Sequence, residues 1–244
     1  MEATGVFKGW FGTHWYGMLY RHRDEHDAEA QVLPIIAKGK LVPGMEILDM
    51  GCGRGRHAAI FARNGLRVTG VDLSPECISA AQGIAPAATF AVFDMRMPFA
   101  TARFDAVVCL FTSLGYTGDR RDDDLAVAAA ATALKPSGLF VLDLMNGERA
   151  TSGLGAVETH VVGDVHFEVR KSREHGDIVK EIMVVHPGGK EFFKEVVHAW
   201  SAEEVKSMVL RAGFRIEDVT DGTCSAPFDP DLSDRIVVWA RKPT

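Results

Sequence analysis

A chain of 244 residues with a formal net charge of −6, 47% apolar and 25% charged, has the length of one large domain, or of a domain carrying an insertion, and a globular composition. The acidity argues against nucleic acid as a partner, because that ligand demands a basic face. Cys52, Cys77, Cys109 and Cys224 are too scattered for a disulfide framework or a zinc site, and no run approaches the roughly 20 apolar residues of a membrane span, so a cytoplasmic chain without a metal, a signal peptide or a membrane contact is expected.

Residues 1–25 are rich in aromatics and glycine, with Trp10, Phe11, Trp15, Tyr16 and Tyr20 ahead of the charged Arg21–Asp24. A helix is expected from Glu25 to Lys38, kinked or restarted at Pro34. Pro43-Gly44 marks a turn, and Glu46–Met50 reads as the first buried strand. Strand and helix then alternate: a glycine-rich loop, helix Arg56–Asn64, strand Arg67–Asp72, helix Pro75–Gln82, strands Thr89–Phe93 and Ala106–Leu110, helix Asp123–Leu134, a turn at Pro136-Ser137-Gly138, and strand Leu139–Leu144. This rhythm predicts an α/β protein with a Rossmann-like, doubly wound and mostly parallel sheet.

Residues 156–200 change period. Val157–Val162, Val165–Arg173, Asp177–His186 and Glu191–Trp200 read as strands separated by hairpin signals at Gly163-Asp164, His175-Gly176 and Pro187-Gly188-Gly189. Ser201-Ala202-Glu203-Glu204 is a capping-box sequence for a helix that stops at Gly213. Strands Phe214–Thr220 and Arg235–Arg241 close the chain. The expected organisation is an N-terminal cap over 1–40, a core over 41–146 and 201–244, and a small antiparallel β insertion over 147–200 that serves as a substrate lid or as the contact of a homodimer.

Three sites along this pattern carry chemistry. Asp49-Met50-Gly51-Cys52-Gly53-Arg54-Gly55 joins a buried strand to a helix through glycines that let a ligand come close to the backbone. Arg56 stands where a dinucleotide-binding loop has its third glycine, which counts against NAD. Asp72, ending the next strand, is placed to accept from ribose hydroxyls of any adenosine cofactor. Asp94, ending the third strand, can accept from an adenine amino group, with Leu73 and Met95 covering the two ring faces.

The stretches ILDMGCGRG, VDLS, FDM, FDAVVCLFTSLGY and ALKPSGLFVLDLMN, followed by WSAEEVKSMVLRAGF, resemble the class I S-adenosylmethionine-dependent methyltransferases. The resemblance covers roughly residues 45–146 and resumes at the last helix. It implies a seven-stranded sheet with an antiparallel last strand, and S-adenosyl-L-methionine as the cofactor. It implies that Asp49, Gly51, Cys52 and Gly53 frame the methionine part, that Asp72 holds the ribose, and that Asp94 and Met95 hold the adenine. The Leu110 carbonyl would accept from the donor's ammonium. The aromatic N-terminus and the β insertion resemble bacterial small-molecule N-methyltransferases acting on glycine or amino sugars, which implies donor contacts from Tyr16, Tyr20 and Arg23.

The acceptor is expected to be a small molecule methylated at nitrogen. The Asn/Asp-Pro-Pro-Tyr/Phe motif and the Pro-Cys nucleophile of nucleic-acid methyltransferases are both missing after the fourth strand, where Leu110-Phe111-Thr112-Ser113 stands instead. Tyr116 and His198 are the residues expected to touch the acceptor or act as base. A nicotinamide-dependent oxidoreductase and a non-catalytic S-adenosylmethionine-binding module are the competing readings.

Overall fold

The computed structural model describes residues 9–150 and 154–244; the first eight residues of the N-terminal cap and residues 151–153 of the insertion lie outside the described residues. Helix α1 (His14–Leu19) starts at Thr13, whose side chain accepts from the Tyr16 N–H. Helix α2 (Glu25–Gly39) starts at Asp24, which accepts from the Asp27 N–H. The helix does not restart at Pro34: α2 runs through it as one element. Ala28, Val32 and Ile35 are fully buried against the sheet. Burying Val32 and Ile35 contributes about 1.5–3 kcal/mol each, enough to offset the roughly 3 kcal/mol that an internal proline costs.

Strand β1 (Glu46–Met50) leads through the glycine loop into α3 (Arg56–Arg63), and β2 (Arg67–Asp72) into α4 (Pro75–Ile84). Strands β3 (Thr89–Val92) and β4 (Phe104–Cys109) precede α5 (Arg120–Ala133) and β5 (Leu134–Met145). The insertion supplies β6 (Val157–Val162), β7 (Val165–Glu174), β8 (Asp177–His186) and β9 (Gly189–His198); then come α6 (Ala202–Arg211), β10 (Arg215–Thr220) and β11 (Arg235–Arg241). The seven-stranded sheet has the order β10-β11-β5-β4-β1-β2-β3. Among its strands only β11 is reversed, running antiparallel to both β10 and β5. The fold is thus the α/β sheet with a reversed last strand.

The alternation of side chains along each strand builds two cores. In β5 and β11, Phe140, Leu142, Ile236 and Val238 face α5 and α6, while Leu139, Val141, Val237 and Trp239 face α2 and α3. The turn expected at Pro136-Ser137-Gly138 lies inside β5 as an irregularity. Phe104 pairs with Leu134 but Ala106 pairs with Leu139, so residues 135–138 loop out of the ladder, with Ser137 at φ 62°.

The insertion is a four-stranded antiparallel meander, β6-β7-β8-β9, with two-residue turns. His175 and Gly176 both have positive φ, 52° and 91°, as a type I′ hairpin requires. One face of this sheet, through Phe167, Val169, Ile182 and Val184, packs on Trp10, Trp15 and Leu19. The N-terminal cap and the insertion therefore share a core separate from the two in the main sheet. The chain enters and leaves the insertion at one crossing: the Gly147 N–H donates to the Trp200 carbonyl at 2.9 Å, and a Cβ on Gly147 would sit 2.2 Å from the Ala199 carbonyl carbon.

Candidate active site

At the carboxyl ends of β1, β2 and β4, roofed by α1 and walled by β8 and β9, lies a cavity of about 430 Å³. This is where an open α/β sheet places its ligands. Its floor is the glycine loop. Gly51 (φ 72°) is pressed against the loop after β4, and a Cβ there would stand 2.5 Å from the Ser113 Cβ. Gly55 (φ 82°) caps α3, and a Cβ on it would meet the Ala81 Cβ at 2.9 Å. Both positions demand glycine twice over, by dihedral and by space. At Gly53 a Cβ would have nothing within 4 Å, so the backbone there is open to a ligand.

Asp72 and Asp49 lie beside that loop. The Asp72 carboxylate accepts from the Gly53 N–H at 2.9 Å and from the Ser74 N–H at 2.9 Å, which ties the ends of β1 and β2 together. Burial raises its pKa against these bonds. Asp49 is buried beneath the loop and does not line the cavity; its Oδ2 has no partner. Burial and then the Asp72 charge push Asp49 up to about 7, with Arg56 opposing. The Cys52 thiol is pushed far up by burial, then by Asp49 and Asp72, and is no nucleophile.

The loop after β4 holds two left-handed non-glycine residues, Phe111 (φ 58°) and Thr112 (φ 61°). Asp143, fully buried on β5, fixes them. It accepts from the Phe111 N–H at 2.8 Å, from Arg235 Nε at 2.6 Å and from the Gln31 amide. The Thr112 hydroxyl accepts from the Met145 N–H at 2.8 Å and from Arg235 Nη2 at 3.2 Å. Three guanidiniums surround the Phe111 ring: Arg56 at 4.4 Å, Arg235 at 4.6 Å and Arg23 at 4.8 Å from its centroid. Arg235 is committed to Asp143. Arg56 has a buried Nη1 without a partner, and burial followed by the Arg23 charge lowers its pKa. The cavity thus has a cationic corner with donor capacity to spare.

The roof is aromatic. Arg23 lies 3.7 Å from the Tyr20 centroid and reaches the Tyr16 hydroxyl at 3.5 Å. Burial raises the pKa of Tyr16, Tyr20 and Tyr116 above that of an ordinary phenol. All three therefore stay protonated at neutral pH. Across the cavity, Lys180 Nζ of β8 pairs with Glu195 Oε1 of β9 at 3.1 Å and donates to the Tyr20 hydroxyl at 3.4 Å.

Of the residues expected from sequence, Tyr16, Tyr20, Arg23, Gly51, Cys52, Gly53, Asp72, Leu73, Met95, Leu110 and Tyr116 line this one cavity. Three expected residues do not. Asp94 is committed to Arg96, which donates Nε and Nη2 to its carboxylate at 3.0 and 2.6 Å. Asp49 lies below the floor, as described. His198 is buried away from the cavity, its Nδ1 3.0 Å from Asp123 Oδ2. Trp200 Nε1 donates to the same oxygen at 3.1 Å, and the Gly115 N–H to Asp123 Oδ1 at 2.9 Å. That cluster fastens the end of the insertion to the loop after β4. The Leu110 carbonyl accepts the Ser113 hydroxyl at 3.0 Å, using one of its two lone pairs.

Arg56, Phe111, Lys180, Glu195 and Arg235 were not singled out as ligands from sequence. Arg56 carried a signal, since a charged residue at the third-glycine position of such a loop must face either solvent or the ligand. The others carried none, because their meeting depends on how the insertion and the last strand return to the sheet. Among the described residues no group of His, Cys, Asp or Glu is spaced to hold a metal ion, and no helix is long and apolar enough to cross a membrane.

Residues 47–138 match the family model described as a methyltransferase domain. Over 217 residues the chain is 28% identical to dTDP-3-amino-3,4,6-trideoxy-alpha-D-glucopyranose N,N-dimethyltransferase from Streptomyces venezuelae, covering 85% of this chain and 91% of that one. It superposes on an S-adenosylmethionine-dependent methyltransferase from Clostridium acetobutylicum with a TM-score of 0.81 at 20% identity, covering 95% of this chain and 97% of that one. An amino pentose methyltransferase from Micromonospora echinaspora, solved with S-adenosylmethionine bound, matches with a TM-score of 0.72 at 26% identity, over 94% of this chain and 97% of that one.

Proposed function

We propose that the chain is a class I S-adenosylmethionine-dependent methyltransferase that methylates the amino nitrogen of a small, sugar-sized acceptor in the cytoplasm. The observation that carries this reading is the cavity in which a glycine-loop wall meets a wall supplied by the insertion. The two amino-sugar methyltransferases above resemble the chain over 85% and 94% of its length. The four cysteines are free and buried, as a reducing compartment allows.

The residues present fit the donor. The open backbone at Gly53 and the Asp72 carboxylate suit a ribose and its attached chain. Leu73 and Met95 line the cavity and are apt to cover the adenine, while Asp94 lies outside that lining and accepts from Arg96. The unpartnered Nη1 of Arg56, with Arg23 and the hydroxyls of Tyr16 and Tyr20, meets a carboxylate. Asp49, whose second oxygen is orphaned, supplies negative charge beneath a ligand that carries an ammonium and a sulfonium. The donor, once bound, provides an electrophilic methyl group with a good leaving group. The chain's own task is alignment, and the lid formed by α1 keeps water out while it is done. Tyr116 acts as a hydrogen-bonding phenol rather than as a base, since burial holds its proton on. The insertion is read as a wall of the acceptor pocket rather than as a dimer contact, because Lys180, Glu195 and Val197 all line the cavity.

Calorimetry with S-adenosylmethionine, S-adenosylhomocysteine and NAD tests the donor site; the first two are expected to bind and NAD to be ignored. Mass spectrometry after incubation with S-adenosylmethionine and dTDP-3-amino-3,4,6-trideoxy-α-D-glucopyranose, beside its 3-hydroxy counterpart, tests the acceptor. Methyl gain by the amine alone supports the reading. Methyl gain by the hydroxyl compound alone would move the reaction to oxygen.

A further inference from the structure

The insertion's wall contains a buried ion pair for which the fold has no evident need. Lys180 and Glu195 face each other at register positions of neighbouring antiparallel strands, β8 and β9. The Glu195 side chain is 4% exposed and that of Lys180 17%. Burial works against the lysine's charge, but Glu195 and Tyr20 beside it win and hold Lys180 above the ordinary lysine range. Burying two charges costs several kcal/mol per ion unless every oxygen and proton is satisfied. Here one is not. Glu195 Oε1 takes the lysine, while Oε2 is buried with no partner. Glu195 lines the same cavity as Gly51, Asp72 and Leu110, and its charge acts on Tyr16, Tyr20 and Tyr116. Glu195 lines the ligand cavity and its Oε2 is a buried acceptor without a donor; such an oxygen can still accept a hydrogen bond, and the chemistry it selects is a cationic or N–H-bearing group.

We infer that Glu195 Oε2 receives the amino group of the methyl acceptor, and that Lys180 is the positioning residue that holds Glu195 in place. This rests on the reading of the acceptor as an amine. An N–H of the acceptor donates to Oε2, which leaves the nitrogen lone pair free to turn toward the donor. In the transfer, that lone pair forms the new N–C bond and the C–S bonding pair stays with sulfur. Positive charge thereby passes from sulfur to nitrogen, and a fixed carboxylate beside the nitrogen stabilises the charge where it develops. The alkylated ammonium releases its extra proton to water on leaving. A hydroxyl acceptor gains less from the same oxygen, since it brings no comparable charge. Both an amine and an alcohol can donate to Oε2, so Glu195 favours the amine through the charge that develops on nitrogen.

The test uses the S-adenosylhomocysteine complex and two pairs of probes: dTDP-3-amino-3,4,6-trideoxy-α-D-glucopyranose against its 3-hydroxy counterpart, and cyclohexylamine against cyclohexanol. Wild type is expected to bind an amine about 30-fold more tightly than its hydroxyl partner, and Glu195→Gln to bind both alike. Glu195→Gln is also expected to lower kcat/KM about 100-fold while S-adenosylmethionine affinity stays within about twofold. The double variant Lys180→Met/Glu195→Gln removes the stranded lysine charge. It is expected to regain thermal stability without regaining amine preference. Absence of amine preference in wild type for both pairs, its persistence in Glu195→Gln, or recovery of turnover in the double variant would each overturn the assignment. Glu195-dependent amine binding without methyl transfer would uphold this site while sinking the proposed reaction.

Discussion

The two walls of the cavity are built on opposite plans. The donor wall, from β1 through the glycine loop to β2, is local and made largely of backbone: Gly51, Gly53 and Asp72 lie within 22 residues of chain and are locked by N–H donors. The acceptor wall is made of side chains brought together from afar. Tyr20 meets Lys180 across a sequence separation of 160. On the proposed reading, the donor wall recognises a fixed cofactor by shape, whereas the acceptor wall can be rewritten by changing a few side chains on the meander. Separating the two walls experimentally is therefore the sharpest check on the site.

The largest expected effect is at the donor wall. Gly51→Ala forces a Cβ to within 2.5 Å of Ser113 at a positive φ and is expected to weaken S-adenosylmethionine binding more than about 100-fold by calorimetry. An amine that still binds the variant as tightly as it binds wild-type apoprotein would show that the walls are independent. Next comes Arg56→Ala, expected to cost about 30-fold in S-adenosylmethionine affinity, the worth of a buried charge-assisted hydrogen bond. 5′-Methylthioadenosine, which lacks the carboxylate, should be indifferent to that change. Equal losses for both ligands would remove Arg56 from the carboxylate site.

Asp49 gives the comparison a pH axis. The ionised carboxylate favours a cationic ligand, and its pKa near 7 means that ionisation rises from pH 6 to pH 8. S-Adenosylmethionine affinity should rise about tenfold over that range and flatten in Asp49→Asn. The free protein should behave in the opposite sense. A carboxyl whose folded pKa is raised from 3.8 to about 7 stabilises the fold at low pH and loses that contribution as pH rises through 7, by at most about 4 kcal/mol. Melting temperatures of ligand-free wild type and Asp49→Asn against pH read this directly. The smallest effect on chemistry is expected at His198. His198→Gln should lower stability by about 1–2 kcal/mol through the Asp123 cluster and leave kcat within about threefold. A collapse of kcat with a changed pH profile would return His198 to the catalytic candidates.

Much of the fold was legible because it is written in short-range periodicity. β1, β2, β6, β8 and β11 begin and end at the residues expected from alternation and turn chemistry, and the capping box at Ser201 closes with Glu204 as its sequence suggests. Boundaries shifted where tertiary contacts compete with a local rule. α2 does not restart at Pro34, and the Pro136-Ser137-Gly138 turn falls within the span of β5 as a loop out of its ladder. Asp123, expected at a helix start, is one turn inside α5 and buried, because it serves His198, Trp200 and Gly115 instead of capping the helix.

The same division runs through the site. The glycine-loop wall and the methyltransferase resemblance could be read from the chain alone, since glycines with forced dihedrals and a strand-terminal Asp72 lie within one βαβ unit and leave their spacing in the sequence. The acceptor side took shape only on folding. Folding turned Arg56 from a missing glycine into a cation with an unpartnered Nη1, withdrew Asp94 into an ion pair and His198 into a hydrogen bond with Asp123, and set Lys180 and Glu195 in the same cavity as the glycine loop. A charged side chain's role depends on what neutralises it, and that partner lies here on another strand or another sheet, at a distance no local pattern encodes.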